Sequence, residues 1–515
     1  MTVPKMKNHP NRQGETTMKK AINALIAVFA TVAMAVAGFV GAGSALAAEN
    51  YNLSVSGTGH TYNIYQIFTG SLSDGKLIDV KWGQNGTGTV GSLVDDSTLT
   101  TITAISGTDQ TKANALKAYA DLTSNAFATV TSGAAASVPA GYYLVKDKDD
   151  SQKDKNDAYS TYIVKVVNSD VTVDPKSGVP SFEKKLKDKN DTEGTTTDWQ
   201  DSADYDFGDH IPFKLEGTVA SNYDSYTKYY FAFHDKEEKG LTFDGAQTVH
   251  VYVDDKEIQT GYEVVTTGLP EDETFVVKFA DLKTIKDVKA DSQIRVEYTS
   301  TLNKNANFGH QGNVNKAKLQ FSNNPNDSQG GENGPTGNTP WDNVIVFTYK
   351  VVVNKVNKDQ QPLKGAAFKL EKKQSDGTYQ TVKDFTPAVT DLNKPTSFEF
   401  KGLDDGEYKL SETKTPAGYN TIQPIVFIVT ATHNIEWTTE KRTDVLTGLS
   451  GSKASGEITF TADKANGSLT TNVVNKPGSS LPETGGMGTI VLYVAGAALV
   501  VAAGAYFTLK KKYTR

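Results

Sequence analysis

The chain has 515 residues, with 53 basic against 60 acidic side chains, a net charge of −7 and no cysteine. That length exceeds a single hydrophobic core and implies roughly three or four domains. The acidic balance argues against nucleic acid or anionic lipid as the main partner, and the absence of cysteine excludes disulfides.

Near the start, Lys19 and Lys20 precede the apolar run AINALIAVFATVAMAVAGFVGAG, and Ala45-Leu46-Ala47 supplies the small-x-small pattern that signal peptidase cuts. Residues 1–47 therefore read as a leader and secretory signal peptide cleaved after Ala47. Beyond it, Thr, Val, Tyr, Gly and Asn are plentiful and amphipathic helical runs are scarce, which predicts β structure.

Residues 48–176 form a first unit. HTYNIYQIFTG and AGYYLVKD alternate as strands, and the Ala-rich TKANALKAYADLTSNAFATV between them carries apolar residues at helical spacing. DKDDSQKDKND lacks the glycine and terminal glutamate of an EF-hand loop and reads as a solvated hairpin loop. The unit closes on VVNSDVTVDPKSGVP. Pro175 ends a Val-rich strand, Gly178 and Pro180 open a linker, and Lys176 is left exposed.

Residues 177–348 form a second unit, in which SFEKKLKD, DHIPFKLEGTV, KYYFAFHD, QIRVEYTS and KAKLQFSNNP have the spacing of an all-β sandwich. Strand alternation places Lys184 with Phe182 and Leu186, Asp235 with Phe231 and Phe233, and Asn323 with Leu319 and Phe321. One register slip exchanges Lys184 for Lys185. Asp209, in phase with Ile211 and Phe213, is the alternative acid.

Residues 349–480 form a third unit of short strands. Here Lys355 shares a face with Val351 and Val353, Glu412 with Tyr408 and Leu410, and Asn475 with Leu469 and Val473. A buried lysine is costly, and desolvation drives it towards the neutral amine. A neutral amine beside an amide whose carbonyl takes a proton from an acid is set up for attack, giving a Lys-Asn isopeptide and ammonia.

Residues 481–515 begin with Leu481-Pro482-Glu483-Thr484-Gly485. Thr489 to Leu509 then carries no charge and, as a helix, spans about 31 Å, the thickness of a bilayer's hydrocarbon core. Lys510, Lys511, Lys512 and Arg515 follow and keep that end cytoplasmic.

Three of these stretches carry a family resemblance. The C-terminal order of LPETG, apolar span and basic tail resembles the cell-wall sorting signal of Gram-positive surface proteins. Tyr408 to Tyr419, YKLSETKTPAGY, is similar to the E box of Cna-B-type domains. VTVDPK resembles the pilin motif of sortase-assembled pili, with Asp174 where a tyrosine is usual and without the upstream tryptophan. Together they resemble the major, or backbone, pilins.

The resemblance implies an all-β multidomain chain of tandem immunoglobulin-like (Cna-type) sandwiches, an N-terminal mainly-β domain with a short helix, and signal and transmembrane helices at the ends. It implies that a sortase attacks the Thr484 carbonyl, releases Gly485 onward, and passes the chain to Lys176 of the next subunit. It implies a Lys355–Asn475 isopeptide with Glu412 as proton shuttle, and a Lys184–Asn323 isopeptide with Asp235 in that role. Implied partners are pilus-specific and housekeeping sortases, further copies of the chain, minor or tip pilins, peptidoglycan and host surface ligands, at the Gram-positive cell wall and surface pilus. No cofactor or metal is expected, and the protein is a sortase substrate rather than an enzyme. A monomeric wall-anchored adhesin that binds a host matrix protein or glycan would share the sorting signal and the Cna-B-type domain. The Pro-Lys motif at a unit boundary favours the backbone role. A secreted hydrolase is disfavoured, since none of the seven histidines lies in an HExxH or nucleophile-elbow context.

Overall fold

The computed structural model describes residues 50–478, apart from 153–154, 271, 383–384, 387–395 and 438–440, together with 499–500. The leader, Ala47, the LPETG peptide and most of the apolar C-terminal span lie outside the described residues. Among the described residues, no helix is long and apolar enough to cross a membrane.

In the first part of the chain, the long strand Thr61–Ser73 organises a sheet with Lys76–Trp82, Ala128–Thr131, Gly141–Asp147 and Ile163–Val167. A smaller sheet lies against it, with Asn50–Val55 between Ala135–Pro139 and Val171–Val173. Leu53, Val55, Ile64, Tyr143, Val145 and Val173 pack between the sheets. Two short helices flank the larger sheet. Asp96–Thr103 is capped by the Asp95 carboxylate on the Thr98 N–H, and Asp109–Lys117 by the Thr108 hydroxyl on the Thr111 N–H. The second helix stops well short of the Ala-rich run predicted for it. Asp121 takes the Thr123 N–H at 2.9 Å, a local turn that competes with helix continuation.

The DKDDSQKDKND stretch does connect two antiparallel strands, Gly141–Asp147 and Ile163–Val167. It is not simply solvated. Asp147 and Gln152 are buried, and the segment is clamped onto the next sandwich, as described below.

The middle part is a two-sheet sandwich. One sheet runs in the order Ser202–Asp204, Asp342–Phe347, Asn313–Ser322, Phe231–Glu237, Phe275–Phe279, Glu263–Val265. The other runs Lys256–Ile258, His250–Val253, Gln293–Leu302, His210–Thr218, Phe182–Leu186. Phe213, Phe231, Phe233, Phe275 and Tyr298 fill the space between them. The alternation of Gln293–Leu302 is complete, every second residue being buried, as a strand with one face on a core requires.

The last part is a second sandwich. One sheet is ordered Phe385–Thr386, Ser397–Leu403, Tyr349–Asn357, Ser468–Asn475, Thr461–Asp463, and the other Tyr379–Thr381, Ala367–Lys373, Gly406–Lys414, Ile425–His433, Leu446–Ser455. Its first and last long strands are parallel neighbours, with Lys355 opposite Val473 and Asn357 opposite Asn475.

The two sandwiches share a strand. In Asp342–Phe347, Val344 and Val346 face the middle core while Ile345 and Phe347 enter the C-terminal core. Period-two alternation thus lets one strand serve two cores. A bidentate pair, Arg442 to Glu238 at 2.7 and 2.9 Å, adds a second tie across the same junction.

Candidate crosslinking sites

Lys355, Glu412 and Asn475 come together in the C-terminal sandwich. Lys355 and Asn475 are fully buried and Glu412 nearly so. The parallel pairing of Tyr349–Asn357 with Ser468–Asn475 sets the first and third of them on adjacent strands, two residues apart in register, and Glu412 reaches across from Gly406–Lys414 in the facing sheet. The Lys355 amine donates to the Val473 carbonyl at 2.8 Å. Burial holds this lysine down to about 8, and only the Glu412 charge opposes that shift. Asn475 donates from Nδ2 to Glu412 Oε2 at 3.1 Å and to the Asn420 carbonyl at 2.9 Å. Its Oδ1 and Glu412 Oε1 have no hydrogen-bond partner. Buried polar atoms in native folds are nearly always paired, so these two unpaired oxygens are unusual.

A second buried lysine sits in the middle sandwich. Lys184 is fully buried and donates to Asp235 Oδ2 at 2.6 Å and to the Tyr298 hydroxyl at 2.6 Å. Burial dominates both ends of this pair, lowering Lys184 and raising Asp235, so each is driven towards its uncharged form.

The asparagine in this cluster is Asn315, not the expected Asn323. Asn315 Nδ2 donates to the Tyr298 hydroxyl at 2.9 Å and contacts Glu237 Oε1 at 3.3 Å, and its Oδ1 lacks a partner. Asn315 lies opposite Glu237, and Ala317 opposite Asp235, in the antiparallel register. Asn323 is eight residues further along, about 26 Å at the rise of an extended strand. It is buried there in another task, donating at 3.3 Å to both the Gln152 and Asp157 carbonyls. Its own carbonyl receives the Tyr159 N–H at 2.7 Å. Asn323 therefore clamps the Asp-rich hairpin connection onto the middle sandwich.

The two alternatives also lie elsewhere. Lys185 points away from the core and pairs with Asp201 at 2.8 Å and Glu436 at 3.1 Å. Asp209 belongs to an acidic group with Asp191, Asp206 and Asp404 at the junction of the sandwiches. Two residues at the Lys184 cluster carried no sequence expectation. Tyr298 joins amine, acid and amide on one oxygen, and Glu237 is pushed up to about 8 by burial and by the neighbouring Asp235 charge.

Lys176 is exposed just beyond the strand Val171–Val173, whose Val173 is fully buried. Its carbonyl takes the Thr161 N–H at 3.4 Å, which holds the backbone while leaving the side chain free of the core. It borders a groove of about 990 Å³ lined also by Leu116, Tyr142, Tyr162, Asp174 and Asn222.

Residues 349–443 match the model of the SpaA prealbumin-like fold domain. A curated relative, the trypsin-resistant surface T6 protein of Streptococcus pyogenes serotype M6, is 32% identical over 133 residues. That match covers 24% of this chain and 23% of the relative, so the chain spans about a quarter of the length of the curated relative it matches. Among solved structures, the T6 backbone pilin of serotype M6 Streptococcus pyogenes, described as a modular three-domain structure, superposes with a TM-score of 0.51 at 18% identity. The superposition covers 84% of this chain and 98% of that one. The full-length major pilin SpaD from Corynebacterium diphtheriae matches at 16% identity over 84% of this chain and 98% of that one, with a TM-score of 0.45.

Proposed function

With a SpaA-type prealbumin-like domain over residues 349–443 and a backbone-pilin fold around it as premise, we propose that the protein is the structural subunit of a covalently polymerised, wall-anchored pilus. Its sandwiches are closed by internal amide bonds, and its subunits are joined end to end by a sortase. The observation that carries this reading is the buried Lys355, Glu412 and Asn475 cluster between the first and last long strands of one sandwich.

The chemistry follows from the positions. The uncharged Lys355 amine attacks the Asn475 side-chain carbonyl carbon, forming the Nζ–Cγ bond. Glu412 lies 3.1 Å from Nδ2, the nitrogen that must leave, and carries the amine's surplus proton to it. The Cγ–Nδ2 bond breaks and ammonia departs. The reaction turns over once per chain.

In the middle sandwich Lys184 and Asn315 take the same roles. Asp235, at 2.6 Å from the amine, takes the ammonium proton and frees the uncharged nucleophile, and Glu237, beside Nδ2, passes the attacking nitrogen's surplus proton to the leaving group. Tyr298 holds both nitrogens in place. Two links of this kind give a chain without disulfides the resistance to tension that a fibre needs.

For assembly, the reading assigns Thr484 as the acyl donor and Lys176 as the acceptor amine of the next subunit, with the last subunit passed to peptidoglycan. The exposure of Lys176 beside an open groove supports this. Immunoblots of wall extracts test it: a high-mass ladder is expected, lost in Lys176→Ala and kept in Lys185→Ala. A single monomeric band from the unaltered protein would mean that polymerisation is not its role.

A further inference from the structure

His433 ends the strand Ile425–His433 in the C-terminal sandwich and meets the strand Ser202–Asp204 of the middle one. Its Nδ1 lies 2.7 Å from the Ser202 hydroxyl oxygen, and that hydroxyl lies 2.5 Å from the Asn434 carbonyl. A carbonyl can only accept, so the hydroxyl gives its one proton there and takes the Nδ1–H in return. This leaves Nε2 as the ring nitrogen available to groups on the other side. Nε2 faces Asp188 Oδ2 at 3.5 Å, too far for a well-formed hydrogen bond.

A carboxylate oxygen of Asp188, one of Asp204 and a ring nitrogen of His433 all lie within 4.8 Å of one another. Asp204 is only 2% exposed, and its Oδ2 has no hydrogen-bond partner. The Tyr349 hydroxyl interacts with Asp204 but is itself without a formed hydrogen bond. Two carboxylates and an imidazole, each able to give an electron pair, therefore converge at a half-buried point.

The geometry points to a divalent metal ion of the zinc or manganese class, held by Asp188, Asp204 and His433 at the seam of the two sandwiches. An imidazole ligand favours these ions over calcium and magnesium, which prefer oxygen alone. Ser202 orients the ring from behind, as outer partners of metal-bound histidines do. The neighbouring acidic group of Asp191, Asp206, Asp209 and Asp404 is a different case. There the Lys372 ammonium already sits among the carboxylates, 2.8 Å from Asp206 and 3.4 Å from Asp191. Since Asp188 and Asp204 come from one sandwich and His433 from the other, an ion here locks their relative angle without a disulfide. The assignment is independent of the proposed crosslinks.

Calorimetric titration of the chelator-treated full-length chain in detergent with zinc, manganese or calcium chloride tests it. One zinc or manganese ion per chain is expected, with calcium much weaker. Asp188→Asn and His433→Gln should abolish binding, and Ser202→Ala should weaken it about tenfold. Asp188 is partly exposed, so Asp188→Asn should keep the wild-type circular dichroism and separate loss of a ligand from loss of the fold. Cobalt should give a visible absorption band with the unaltered chain and none with His433→Gln. No saturable binding, calcium binding tightest, or undiminished zinc affinity in Asp188→Asn and His433→Gln would overturn the assignment.

Discussion

Lys184 and Asn315 meet on a single phenol oxygen, the Tyr298 hydroxyl, at 2.6 and 2.9 Å. That shared contact places the Asn315 amide, rather than that of Asn323, beside the buried amine. Asn315→Ala should therefore restore one ammonia to the intact mass of the purified chain, whereas Asn323→Ala should leave the mass deficit unchanged apart from the substitution itself. Peptide mapping that found Lys184 joined to Asn323 would reverse this assignment.

Asn323→Ala should show its effect elsewhere. With both donations to the Gln152 and Asp157 carbonyls removed, the Asp-rich connection loses its clamp. Limited proteolysis is expected to cut between Asp147 and Tyr159 several times faster than in the unaltered chain. Equal cutting rates would mean that the clamp contributes nothing to local order.

The C-terminal link carries a pH signature when it is prevented. In Asn475→Ala, Lys355 stays a free amine, held near 8 by burial. Between about pH 8 and the ordinary lysine value, the unfolded chain binds more protons than the folded one. Stability of this variant should therefore rise with pH through that window and be flat just below it. The unaltered chain, its amine consumed in an amide, should show no such rise. Denaturant melts at stepped pH read both curves.

Loss of that link should also cost stability outright. Closing a loop of roughly a hundred residues or more constrains the unfolded chain by ~4–5 kcal/mol in the chain-entropy model. Asn475→Ala should lose about that much, plus any cost of the small cavity. A loss below about 1 kcal/mol would be no more than an ordinary buried substitution gives.

How far the sequence reaches is clearest in the two clusters. In the C-terminal sandwich, alternation put Lys355, Glu412 and Asn475 on inward faces, and the E box fixed where Glu412 falls, so all three positions were legible. In the middle sandwich, alternation gives the face that Asn315 and Asn323 share but not which of them lies level with Lys184. Residues 315, 317, 319, 321 and 323 share one face, and only the pairing register selects among them. A signal was present: Asp235 lies late in Phe231–Glu237, so its antiparallel neighbour has to contribute a residue from early in Asn313–Ser322. Tyr298 and Glu237 were not legible, because a buried tyrosine or a strand-end glutamate reads as ordinary packing until the sheets are brought face to face. The strand shared by two cores was hidden for a similar reason. Apolar residues on both faces of Asp342–Phe347 mark burial on both sides without saying by what.

The most direct measurement is the intact mass of the purified full-length chain, followed by mapping of its crosslinked peptides. The expected result is a mass lower than calculated by two molecules of ammonia, with Lys355 joined to Asn475 and Lys184 to Asn315. A chain at its full calculated mass, with all four side chains recovered unmodified, would contradict the claim that these sandwiches are closed by their own amide bonds.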